Sequence, residues 1–172
     1  MSVGRQFVLQ LTRQAARDLG CRIWSTDVLM FALLQACRED AMSAPAAGCF
    51  DTQRLALADE LDELRDLVRR TGIDPDHAAE FVSGIWRADR SPPWSAEEPR
   101  IRPHTQTTLV FSAAVDIARA DPRAATADGE PDYRAVHLFL AALEHPTGTV
   151  HKLMHDLGTD LATARQKSAF PL

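Results

Sequence analysis

The stretch Ser25-Thr26-Asp27-Val28-Leu29-Met30-Phe31-Ala32-Leu33-Leu34 decides the fold. Two hydroxyls and an acid lead into seven consecutive apolar residues. Side-chain oxygens of Ser, Thr and Asp accept hydrogen bonds from the free N–H groups of a helix's first turn. A run that is apolar on every side of a helix cannot face water, so this stretch predicts a central, buried helix. A second copy, Arg134-Ala135-Val136-His137-Leu138-Phe139-Leu140-Ala141-Ala142-Leu143, keeps the apolar body and lacks the polar start.

Downstream of each copy lies a second shared phrase. The first is Leu64-Arg65-Asp66-Leu67-Val68-Arg69-Arg70-Thr71-Gly72-Ile73-Asp74-Pro75; the second is Val150-His151-Lys152-Leu153-Met154-His155-Asp156-Leu157-Gly158-Thr159-Asp160-Leu161. Each reads as an amphipathic helix closed by a glycine suited to the left-handed C′ position. An aspartate two residues on caps the next helix, and Pro75 suits a helix's first turn. The same order occurs twice, which marks an internal repeat.

The segment Ala16-Arg17-Asp18-Leu19-Gly20-Cys21-Arg22-Ile23-Trp24-Ser25-Thr26-Asp27-Val28-Leu29-Met30-Phe31-Ala32-Leu33-Leu34 carries a resemblance. It is similar, without a gap, to the repeat of the Clp N-terminal domain family, Ala-x-x-Leu-Gly-His-x-Tyr-Ile-Gly-Thr-Glu-His-Leu-Leu-Leu-Gly-Leu-Leu. The resemblance covers roughly residues 5–168. It implies an all-α fold of eight helices in two tandem pseudo-repeats of four, standing free of the Clp ATPase modules. It also implies a non-catalytic domain, without cofactor, that binds proteins or peptides.

Composition agrees with a soluble globular chain. The 172 residues are 45% hydrophobic and 25% charged, with net charge −5, so nothing points to a nucleic-acid or anionic-membrane surface. Three cysteines (Cys21, Cys37, Cys49) without metal-ligand spacing favour reduced thiols, hence a cytoplasmic setting. No apolar run approaches the roughly 18 residues of a membrane span. The Met1 start and short tail suggest a complete gene product.

Helical periodicity places Val8, Leu11, Ala15 and Leu19 on one face of a first helix over about 4–19, and Leu57, Leu61, Leu64 and Val68 on a third. Residues 1–88 form the first repeat, with an insertion at about 36–58. Residues 89–103 hold Pro92, Pro93, Pro99 and Pro103 and read as a linker. Residues 104–172 form the second repeat, with helices over 105–119, 133–144, 148–157 and 160–168. Residues 38–51 and 121–131, small, polar or Pro/Gly-bearing, are expected to be the most mobile. No alternating strand pattern of useful length is present.

The chain has no Gly-x-x-x-x-Gly-Lys-Ser/Thr loop, so the resemblance stops short of the Clp ATPase. Asp27 matches a family glutamate that receives phosphorylated arginine. A carboxylate pairs bidentately with guanidinium, while Ser25, Thr26 and the helix amides can hold the phosphate. Alternatively, Asp27 merely complements the helix's positive end. The corresponding residue of the second copy, Val136, cannot bind guanidinium. Trp86, Trp94 and Ile101 flank the linker and either cover the seam or line a groove for an apolar or cyclic peptide. His137 matches the family's repeat histidine in a structural role. His151 and His155, four apart, have a spacing that can chelate a metal or simply form a solvated face. The function expected is an adaptor, regulator or decoy for a Clp chaperone–protease, binding its components, substrates or adaptors; the alternative is a metal-dependent enzyme using the C-terminal histidines.

Overall fold

Every residue from Val28 to Leu34 is buried, and Leu29, Met30, Ala32, Leu33 and Leu34 have no exposed surface. The helix they form, α2 (Thr26–Ala36), is packed against both halves of the chain. The computed structural model describes residues 2–19, 21, 23–43, 50–88, 102–126, 129 and 131–168; the side chains of 85–88 and 102 fall outside that description. Within it, α1 (Val3–Asp18) lies along α2, followed by α3 (Arg54–Arg70) and α4 (Pro75–Ala88). The second half contributes α5 (Thr105–Ala120), α6 (Ala135–Glu144), α7 (Gly148–Asp156) and α8 (Leu161–Ser168). The protein is all-α. No described helix is long and apolar enough to cross a membrane.

The two halves show parallel local features. As α1 lies along α2, so α5 lies along α6; α4 rests on α2 and α8 on α6. All residues of α6 from Ala135 to Leu143 are buried. Gly72 and Gly158 follow α3 and α7 with φ of 90° and 79°, the left-handed region that glycine enters without steric cost. At Gly158 both bonds of a Schellman ending form: Gly158 N–H to the His155 carbonyl and Thr159 N–H to that of Met154, each 3.0 Å. The two turns meet, because the Thr159 hydroxyl donates to the Thr71 carbonyl at 3.3 Å. Beyond them, Asp74 and Asp160 cap α4 and α8 by accepting from His77 N–H (3.1 Å) and Thr163 N–H (2.9 Å). Both carboxyls titrate lower than usual, Asp74 chiefly through its backbone bonds from His77 and Asp76, Asp160 chiefly through the Thr163 hydroxyl and backbone.

One apolar cluster runs through both halves, from Phe7 and Leu33 to Leu138 and Ala164. Leu29, Ala32, Leu33, Leu138 and Leu140, expected inside, are all buried. Trp24 ties the halves at their edge. Its ring meets Phe111 edge-on at 5.5 Å, and its carbonyl accepts from His104 N–H (3.0 Å) and the Thr107 hydroxyl (3.3 Å).

Two details differ from the sequence reading. Ile23–Trp24 and Arg102–Pro103 form a parallel two-residue ladder, too short to show any alternation in sequence. Helix α3 begins at Arg54, inside the expected insertion, and its first turn projects Leu55 into solvent. In the segment 121–131, Pro122–Ala124 form a 3₁₀ turn, and Asp132 N–H bonds the Ala124 carbonyl at 2.8 Å, while 127, 128 and 130 lie outside the described residues. Of the segment 38–51, Ala41–Ser43 form a 3₁₀ turn, while 44–49 lie outside the described residues.

Candidate binding surfaces

The start of α2 gathers Ser25, Thr26 and Asp27. Ser25 occupies the N-cap position but makes no side-chain capping bond; its hydroxyl instead donates to Asp27 Oδ2 at 3.2 Å. The other Asp27 oxygen accepts from the hydroxyl of Thr147, the residue that caps α7. Asp27 therefore joins the two halves and sits half-buried. Thr26 is fully buried, and its Oγ1 has no hydrogen-bond partner among the described residues. An unpaired buried hydroxyl is costly. With no exposed surface Thr26 is closed to a ligand, so of the three only Ser25 and Asp27 are part-exposed at the positive end of the helix.

The start of α6 is built differently. There, His137 Nδ1 accepts from Arg134 N–H at 2.9 Å, filling the place that a Glu or Gln takes in a capping box. Arginine has no acceptor, so only this half of the box forms. Because Nδ1 accepts, the neutral ring carries its proton on Nε2, which faces Asp121 Oδ2 at 3.2 Å. Arg134 joins Glu63 of α3 (2.6 Å) and Asp121 (3.3 Å), and Arg123 joins the same two acids (3.0 and 2.9 Å). Val136, at the position of the acid, is buried among apolar neighbours.

This network sets a pH dependence. Burial holds His137 below its ordinary value of 6.5, Arg134 adds to that, and the bond to Asp121 opposes it. Asp121 lies well below the carboxylate range: burial alone raises it, and hydrogen bonds from Arg123 and His137 more than reverse that. In both cases the unfolded chain takes up a proton first as pH falls, so stability is lost toward acid. Thermal melts should show the midpoint falling from about pH 7 to about pH 5, and His137→Gln, which keeps an acceptor for Arg134 N–H, should flatten that slope.

Between α3, α5, α6 and α8 lies an open groove of about 1210 Å³. Its floor is Ile117, Leu140 and Leu143, and Asp62, Glu144 and Arg165 stand on its rim. Sequence reasoning missed both groove and network, because their residues come from four separated segments and each looks like an ordinary helix surface in isolation.

Comparison with known families gives no matching family model, and no curated protein matches the chain.

The remaining sequence candidates are dispersed. Trp86 lies in the last turn of α4 with its side chain outside the described residues, and Trp94 and Ile101 lie wholly outside them. His151 and His155 stand exposed on α7, His155 beside Asp156 at 3.6 Å. Among the described residues no three His, Cys, Asp or Glu side chains converge to hold a metal. Cys21 and Cys37 are free thiols. Cys37 is enclosed, its Sγ faces the Leu33 carbonyl at 3.2 Å, and burial pushes its thiol far up, which makes it a poor nucleophile. Cys49 lies outside the described residues.

Proposed function

We propose that this chain is a non-enzymatic, Clp N-domain-like module that binds proteins or peptides. It works as an adaptor, regulator or decoy for a Clp chaperone–protease and recognises arginine-phosphorylated or apolar segments. The observation that carries this reading is the start of α2, where Asp27 and Ser25 stand together, part-exposed, at the positive end of the helix. A guanidinium takes a carboxylate bidentately and a phosphate takes helix N-terminal amides and hydroxyls, so a phosphoarginine suits Asp27, Ser25 and the first-turn amides. To bind it, Asp27 must exchange the hydroxyls of Ser25 and Thr147 for guanidinium N–H groups. Neutral hydrogen bonds are thereby replaced by stronger charge-assisted ones. The second copy offers Ala135 and Val136 at the same place and binds nothing of this kind.

The cellular role is tested by affinity capture from native lysate, with the parent protein and Asp27→Ala as paired baits. The expected result is enrichment of Clp ATPase or protease subunits, or of arginine-phosphorylated proteins, by the parent and not by the variant. Capture of neither by the parent contradicts the role.

A further inference from the structure

We infer that the groove between α3, α5, α6 and α8 is a second docking site, taking an apolar peptide segment that carries lysine or arginine beside its apolar residues. This rests on the protein-binding reading above but uses a different surface. The groove, about 1210 Å³, has the capacity to cover several side chains, and its floor of Ile117, Leu140 and Leu143 offers them apolar contact. Charge fixes the kind of segment. All three arginines at the groove are engaged: Arg123 with Asp121 and Glu63, Arg165 with the last carbonyls of α6, Leu143 O at 2.7 Å and Glu144 O at 3.1 Å, and Arg70 has a partner as well. Asp62 of α3 and Glu144 of α6, by contrast, line the groove as exposed residues with no side-chain partner among the described residues. The charge left unanswered around the apolar floor is therefore negative. A segment with cationic residues flanking its apolar ones satisfies floor and rim together, whereas an acidic segment meets like charge.

The test is fluorescence anisotropy with two labelled 14-residue amphipathic peptides, one of leucine and lysine and one of leucine and glutamate. They are titrated against the parent protein and three variants. Asp62→Lys/Glu144→Lys reverses the rim, Ala120→Trp fills the groove from an exposed position, and Glu80→Lys changes an exposed charge on α4 away from it. Circular dichroism establishes that each variant is folded. Saturable binding of the leucine–lysine peptide is expected, weakened roughly tenfold or more by the rim reversal and by Ala120→Trp, and unchanged by Glu80→Lys. Equal weakening by Glu80→Lys, or preference for the glutamate peptide, overturns the assignment. Binding that appears only after residues 169–172 are removed assigns the groove to the chain's own tail and overturns it too. Phosphoarginine binding without peptide binding overturns the groove alone and leaves the α2 reading standing.

Discussion

Leu33→Ala should destabilise the protein by about 2–5 kcal/mol, in the upper half of that range. Leu33 has no exposed surface and belongs to the single apolar cluster that both halves share. The cost has two parts, the lost transfer of the removed carbons from water and the void left behind, and the second depends on how far neighbours can collapse. Helix α2 is held from several sides, by α1 and α4 of its own half and by α5, α6 and α7 of the other. Movement inward by any one of them is resisted by its other contacts, so the void should largely persist. Urea denaturation reads this as a lowered midpoint with an unchanged slope. Leu55→Ala is the internal contrast. Leu55 is 84% exposed, and its loss should change stability by no more than about 0.5 kcal/mol. Equal effects at the two positions would show that α2 is not the centre of the core.

Asp121→Ala should cost about 3 kcal/mol, the lower edge of the loss expected when one partner of a buried ion pair is removed. The Asp121 side chain is 8% exposed and serves Arg123, Arg134 and His137 at once. Glu63 still reaches both arginines after the change, which limits the loss. His137, whose ring is fully buried, loses Asp121 as the partner of its Nε2. The residue also holds the 3₁₀ turn at Pro122–Ala124 by accepting from Arg123 N–H at 2.9 Å. Asp121→Asn retains an acceptor for that turn and should recover part of the stability without the charge. A loss below about 1 kcal/mol for Asp121→Ala would mean that the network is solvated and adds little.

The helical frame was legible because its signals are local. The apolar run 28–34, the glycines at 72 and 158, and the aspartates at 74 and 160 each state their role within a few residues, and each occupies that role in the structure. The 121–131 segment was legible only in part, for the converse reason. Its Pro122 announces the turn at Pro122–Ala124, but Arg123 of that turn also pairs with Glu63, some sixty residues earlier, and no local pattern conveys a contact at that separation. The α2 start was only half legible. Ser25, Thr26 and Asp27 advertise a helix cap, yet the structure turns Ser25 toward Asp27 and brings in Thr147, 120 residues away. The groove gave no signal at all, since Ile117 and Leu140 look like routine core residues until α3 and α8 leave space between them.

The claim that the α2 start receives phosphorylated arginine is tested most directly by titration calorimetry of phosphoarginine against the parent protein and Asp27→Ala. A charge-assisted pair contributes about 1.5–3 kcal/mol. The account therefore predicts binding at a single site per chain, weakened roughly tenfold or more in Asp27→Ala. Two equal sites, binding indifferent to Asp27, or no heat at millimolar ligand would contradict it.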